Sequence, residues 1–366
     1  MHRSGTSVLT RGLAAIGVYL SDQLMPGQPD NPKGFFEDIN IVKLNSELLT
    51  ELESYWDSLW IPDWRSLPIE RQHYYLDAAV SLISDQCKHK DFWAFKDPRV
   101  TRLASFWIQV LKQANCDPVF VLSNRHPLGV ADSLAKRDQM PLGQALLLWL
   151  LHQSVGLDLF LETKGLIVDY DAFLENPSLH LEKLQSFLKL QKSKDWQEKY
   201  REFEGQFLEE ELRHGFHQLD GSDLDVDMLG RMCRKLYLYL RQHACRPLNF
   251  ESDLANEGHE LQQEIVSYLA EQGGILNSLN RYINHHHLSV VQYHGLAREH
   301  HELTDRYHGL AREHHELTDR YHGLAREHHE LTDRYHGLAR EHHELTDRYH
   351  GLAREHHELT DRYHGL

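Results

Sequence analysis

Apolar positions in roughly the first 250 residues follow two rhythms. Phe92–Phe95, Pro118–Ser123 and Leu166–Tyr170 are short apolar runs of the kind that suit buried parallel strands. Longer stretches between them repeat their apolar residues at helical spacing, so the pattern predicts an α/β fold with a parallel sheet flanked by helices. Ala145–Leu161 is the most apolar stretch, interrupted by His152, Gln153 and Asp158. It reads as a buried core helix, too short and too polar to span a bilayer. Residues 40–90, rich in Trp, Tyr and Leu, read as helices that form either a lid beside a site or more core. Residues 257–292 read as a helical lead-in, interrupted at Gly273-Gly274.

From Tyr293 the pattern changes to an unvaried repeat of YHGLAREHHELTDR that runs to Leu366. The unit is fourteen residues, two heptads. Tyr293, Leu296, His300, Leu303, Tyr307 and Leu310 alternate at spacings of three and four, an a/d seam with Tyr or His at a and Leu at d. Arg298–Glu302 and Glu302–Arg306 are i,i+4 pairs worth a few tenths of a kcal/mol each. Gly295 and its copies each oppose the helix by about 1 kcal/mol relative to Ala. The helix would extend about 110 Å at 1.5 Å per residue. It is expected to need a partner, giving a weak homo-oligomer through the tail. On parallel pairing His300 faces its own copy, so acid should weaken the association. His294, His301 and His308 recur every seven residues, whereas helical chelation needs spacings of three or four, so they read as solvated rather than as a metal site. The division expected is 1–250, a helical connector 251–292, and the tail 293–366.

The formal net charge of −16 excludes a non-specific binder of nucleic acid or anionic membrane. An anionic cofactor would have to be held by a local basic cluster. Cys87, Cys116, Cys233 and Cys245 show no CxxC spacing and read as reduced thiols of a cytoplasmic protein.

Two segments supply such clusters. The chain opens HRSGTSVLTRGLAAIGV, with Gly5 between small hydroxyl residues at the mouth of a helix. The amides of Gly5, Thr6 and Ser7 would point at an anion, with hydroxyls from Ser4, Thr6 and Ser7 and a guanidinium from Arg3. The alternative is a helix cap with an accidental glycine. It is not a GxxxxGK[ST] loop, because the lysine is absent, and this argues against a kinase. In VFVLSNRHPLGVADSLAKRD a strand enters Arg125-His126-Pro127 and a helix carries Ser133, Lys136 and Arg137. Arg125 and Ser133 could grip one phosphate from two sides. The alternative is an ordinary strand–helix junction with a solvated basic face.

The order of these segments resembles the sulfotransferases that use 3′-phosphoadenosine 5′-phosphosulfate (PAPS). The loop, then a strand–Arg-x-Pro turn with Ser133 eight residues after Arg125, is similar to that family's two nucleotide-binding elements. The resemblance covers roughly residues 1–215 and is closest to bacterial sulfotransferase domains, on NPKGFFED (Asn31–Asp38), FKDPR (Phe95–Arg99) and Tyr170-Asp171. The Arg-Ser-Gly-Thr loop and Lys-Asp-Pro motif are also similar to tyrosylprotein sulfotransferases.

The resemblance implies a P-loop-like sulfotransferase fold and transfer of a sulfonate from PAPS, without a metal, to an acceptor hydroxyl, first of all on a carbohydrate. It implies that Arg3 steadies the sulfonate and the leaving phosphate. Ser4, Gly5, Thr6 and Ser7 would cradle the 5′-phosphate, and Lys96 would contact the sulfonate oxygens. Arg125 and Ser133 would hold the 3′-phosphate, and Arg213 stands where the family has a late basic residue. Glu37 is the candidate base, with Asp38 and His126 as rivals; a surface or capping carboxylate is its other reading. Phe35, Phe36, Trp56, Trp60 and Trp64 pack either on adenine or in the core. In the family an apolar strand feeds the loop. Here only Met1-His2 precede it, so the first strand is expected to be missing. A degenerate nucleotide-binding domain serving as a coiled-coil scaffold is the reading from a different class.

Overall fold

The computed structural model describes residues 1–27, 34–87, 92–191, 196–207, 220–246 and 253–364. Arg213 and Asn31–Lys33 of the resemblance lie outside the described residues, as does the Cys87 side chain. The chain divides into two units, Met1–Leu288 and Ser289–Leu366.

The first unit is mostly helical around one small parallel sheet. Its helices begin with α1 (Thr6–Ala15), α2 (Ile39–Glu51), α3 (Ile69–Cys87) and α4 (Ala104–Gln113). Strand β1 (Phe120–Asn124) follows, then α5 (Pro127–Asp138), α6 (Leu142–Glu162) and β2 (Gly165–Asp169). The unit continues through α7 (Tyr170–Glu175), α8 (Pro177–Phe187), α9 (Trp196–Phe207), α10 (Met228–Gln242), α11 (Asp253–Glu271) and the start of α12 (Gly273–His364). β1 and β2 pair in parallel, Phe120 opposite Gly165 and Asn124 opposite Asp169. The crossover between them is helical, as parallel pairing requires.

Three apolar groups hold the unit together. Leu148, Trp149 and Leu157 of α6 are buried with Leu236 and Leu240 of α10 and Ile265 of α11. Leu48 of α2, Ala79 and Ile83 of α3, and Phe106 and Trp107 of α4 form a second core. Of the described part of the stretch at 40–90, Trp64 and Tyr75 also belong to this core, whereas Trp60 and Tyr74 are exposed. Leu9 and Leu13 of α1 pack with Leu166, Val168, Phe173, Leu181 and Phe203 in a third. α6 is four residues longer than the 145–161 run and has the length and apolarity of a membrane span. It is spent on the core, with 72 % of its apolar window buried inside the fold.

The expected sheet is only partly present. β1 and β2 lie within a residue or two of the predicted runs, but Tyr170 leaves the strand and opens α7. The cause is Asp169, whose carboxylate accepts a hydrogen bond from the Ala172 amide at 3.0 Å and caps the helix. The 92–95 run is not a strand: it makes a single parallel bridge, Trp93 with Tyr19. A cavity of about 260 Å³ separates it from β1, lined by Trp93–Asp97 on one side, Phe120–Ser123 on the other, and Thr6, Leu9 and Leu13 of α1. Among the described residues β1 pairs only with β2, so its second edge runs along this cavity. The break expected at Gly273-Gly274 falls one residue earlier, at Gln272, and the two glycines open α12. The 253–288 stretch belongs to the first unit: Ser154 donates to Gln262 at 3.0 Å, and Asn284 donates to the Glu53 carbonyl at 2.7 Å.

The second unit is the remainder of α12. Among the described residues its seam positions are exposed, Leu303 by 66 % and Tyr307 by 69 %. The i,i+4 pairs expected from Arg298 through Glu302 to Arg306 do not form within 4 Å among the described residues. His301 approaches Asp305 at 3.8 Å instead, and the contact repeats in each copy.

An N-terminal extension of five apolar, β-branched residues ahead of Met1 is expected to enter the cavity beside β1. It should raise the melting temperature by at least about 5 °C, the shift that about 2 kcal/mol of cavity filling would give. Calorimetry checks this; an unchanged or lower melting temperature would show that the cavity does not accept a strand.

Candidate functional site

The opening loop turns through two left-handed residues, Arg3 (φ +63°) and Gly5 (φ +79°), before α1 begins. Gly5 is required there twice over. Its backbone conformation favours glycine, and a Cβ would lie 2.0 Å from Cδ2 of Tyr170. Tyr170 thus supports the loop from behind. Its ring also carries the Arg125 guanidinium 4.8 Å from its centre. The amides of Gly5, Thr6 and Ser7 stand in the first turn of α1, where a helix leaves its N–H groups without an intrahelical acceptor.

Around this turn the structure gathers residues widely separated in sequence. Nε of Arg3 donates to Oγ of Ser133 on α5 at 2.7 Å. Nη1 of Arg125, at the end of β1, donates to the Arg3 carbonyl at 2.7 Å. Oγ of Ser123 donates to the Ser4 carbonyl at 2.6 Å. On the other side of the loop, Nζ of Lys96 reaches Glu37 Oε1 at 2.6 Å, the Phe35 carbonyl at 3.1 Å and Ser7 Oγ at 3.4 Å. Arg3, Ser7, Glu37, Lys96, Arg125 and Ser133 therefore form one chain of contacts through the loop. Thr6 spends its carbonyl on the Thr10 hydroxyl within α1.

The Lys96–Glu37 pair is buried, with 12 % and 5 % of the two side chains exposed. Burial pushes the Glu37 carboxyl above the usual carboxylate range, while Lys96 opposes the rise. Asp97 lies beside it in a closed network. It accepts from Arg99 Nη1 and from Asn45 Nδ2, each at 2.9 Å, and Asn45 in turn accepts from the Trp107 indole at 2.9 Å. This network fixes the Lys96-Asp97-Pro98 turn against the second core.

The rival bases are placed differently. Asp38 caps α2, accepting from the amides of Asn40 at 2.8 Å and Ile41 at 3.1 Å. His126 is buried, its ring 4.9 Å from that of Tyr237 and its Nε2 3.5 Å from Asp223. Of the aromatic candidates, Trp64 belongs to the second core, 5.5 Å from Phe106. Trp56 meets His2 at 4.8 Å and Arg137 at 5.0 Å.

Sequence reasoning missed the structural parts of the site. Tyr170 was visible as a strand-end Tyr-acidic pair, but its packing on Gly5 was not. Arg99, 3.9 Å from Glu37 Oε2, and Asn45 carried no signal apart from the FKDPR motif around the former. No protein-family model, curated protein or solved structure matches the chain.

Gly5→Ala should destabilise the protein by at least about 2 kcal/mol, through the strained φ and the collision with Tyr170. In a double-mutant cycle, Gly5→Ala should cost less in a Tyr170→Ala background. Denaturant melts of the four proteins check this; additive costs would mean the ring does not support the loop.

Proposed function

We propose that the first unit is a PAPS-dependent sulfotransferase with the sulfotransferase variant of the P-loop fold. The observation that carries the reading is the convergence of Arg3, Arg125, Lys96 and Ser133 on one left-handed loop at a helix N-terminus, in a chain of net charge −16. A local basic cluster of this kind suits an anion with phosphate at two ends. Ser4 adds a second observation: its hydroxyl oxygen is buried and has no hydrogen-bond partner, so the loop carries spare hydrogen-bonding capacity. In this reading the amides of Gly5, Thr6 and Ser7 with Arg3 hold the 5′-phosphosulfate end, and Arg125 with Ser133 holds the 3′-phosphate.

The chemistry asked of these residues is positioning and charge neutralisation. The acceptor oxygen forms a bond to sulfur as the bond from sulfur to the bridging phosphate oxygen breaks. The electron pair of that bond leaves on adenosine 3′,5′-bisphosphate, and the product is a sulfate ester. Arg3 and Lys96 neutralise the sulfonate and the leaving oxygen, work that needs no metal ion. Glu37 takes the acceptor proton. Its raised proton affinity suits a base, and its pairing with Lys96 gives the order of events. A sulfonate drawing on Lys96 loosens the pair and releases the carboxylate to the acceptor. A carbohydrate hydroxyl is the proposed acceptor.

Three measurements test this. Retention on immobilised adenosine 3′,5′-bisphosphate should be strong, and Arg125→Ala should weaken affinity for the free nucleotide by at least about tenfold; equal affinity would remove Arg125 from the site. Lys96→Ala should lower kcat with labelled PAPS by about 100-fold while changing nucleotide affinity little. If both proteins transfer label at the same rate, Lys96 is not in the mechanism. A base works deprotonated, so activity should fall as pH drops through a Glu37 pKa above the usual carboxylate range. Glu37→Gln should be slow at every pH and lose that acid limb; a retained limb would assign it to another group.

A further inference from the structure

Among the described residues the second unit presents its seam to solvent. Leu303 and Leu317 are 66 % and 65 % exposed, Tyr307 and Tyr321 69 % and 70 %. A helix with an exposed stripe of leucine and tyrosine, crossed by one histidine every fourteen residues, needs a partner surface. The flanks of the stripe specify which. The e positions are Ala297 and Thr304 and their copies, small and uncharged. The g positions alternate Glu299 and Arg306 through the repeat. Within the helix His301 approaches Asp305 at 3.8 Å, and Thr304 donates to the His300 carbonyl at 2.8 Å.

In a parallel pair each g residue lies against an e residue of its neighbour. Glu299 would meet Thr304 and Arg306 would meet Ala311, with no ionic pairing. Tyr would stack on Tyr and His on His in alternate layers. In an antiparallel pair g lies against g and a packs against d. With the two repeats fully overlapped, Glu299 faces Arg362, Arg306 faces Glu355, and the pattern closes at the middle with Glu327 and Arg334. Every g position is then matched with the opposite charge. In the seam His300 packs against Leu359 and Tyr307 against Leu352, so each large a residue meets a leucine rather than its own kind. The small e residues meet across the other flank and let the helices approach.

We infer that the tail is an antiparallel self-association surface for a second copy of this chain, with orientation and register set by the alternating Glu and Arg at g. The interface is isologous: Glu299 contacts Arg362 as Arg362 contacts Glu299. Register follows from the same alternation. A slip of one heptad sets Glu299 against Glu355 and Arg306 against Arg348, like charges throughout. A slip of fourteen residues restores the charges but sacrifices layers of the seam, so full overlap is preferred. The inference is independent of the chemistry proposed for the first unit.

The experiment uses the full chain. Leu303→Cys and His356→Cys are prepared separately, mixed and oxidised, and linked peptides are identified by mass spectrometry. The antiparallel register gives a Leu303Cys–His356Cys disulfide between chains; a parallel pair gives Leu303Cys linked to itself, which would overturn the inference. The charge rule is read by sedimentation. Arg→Glu at all five g arginines (306, 320, 334, 348, 362) should weaken self-association at least about tenfold. So should Glu→Arg at all five g glutamates (299, 313, 327, 341, 355). The two variants mixed should associate as the parent does. A parent chain that stays monomeric at high concentration, or charge variants that associate undiminished, would also overturn it.

Discussion

The face-to-face approach of Tyr170 and Gly5 is the contact on which the site depends. The ring fills the space that a Cβ would take, so the chain can pass through the left-handed turn only with a glycine at this point. The same ring carries the Arg125 guanidinium, and Arg125 in turn holds the Arg3 carbonyl. One aromatic side chain at the end of β2 thereby ties together the loop, the end of β1 and the start of α1. These are the ends of parallel strands and the N-terminus of a helix, the place where α/β folds concentrate unpaired donors. The backbone geometry is fixed by packing, and the charges are hung on it.

Those charges are arranged against the trend of the chain. Carboxylates outnumber basic residues overall, and around the loop Arg3 donates to the Ser133 hydroxyl and Arg125 to the Arg3 carbonyl. Lys96 is held by Glu37 in a buried pair. Such a pair costs desolvation on both sides and is weak evidence of stability. Asp97, Asn45 and Trp107 fix the turn below it.

The parts legible in the sequence were those set locally. The apolar runs at 118–123 and 166–170 marked the two strands, and the exact repeat marked the seam of the tail. Strand ends were less legible, because Asp169 caps a helix and takes Tyr170 with it. The 92–95 run failed for a physical reason: a strand exists only by pairing, and a cavity stands where its neighbour would be. The attachment of the lead-in at 253–288 to the body was likewise invisible, since Ser154 bonds Gln262 and Asn284 bonds the Glu53 carbonyl across more than a hundred residues. Within the site the residue types were readable from spacing and resemblance, but which of them touch was not. Arg3 and Ser133 meet across 130 positions, and nothing local announces it. In the tail the a and d positions announced an association, whereas its direction lay in the g positions beside them.

The identity of the fourteen-residue copies has a consequence for how this chain can change. Opposite charges meet at full overlap whatever the number of copies, provided whole copies are gained or lost. Each copy lengthens the helix by about 21 Å at 1.5 Å per residue. A gain or loss of a whole copy leaves the matching rule of the seam intact. The length of the seam can thus change in fixed increments, graduated by the alternation of one glutamate and one arginine.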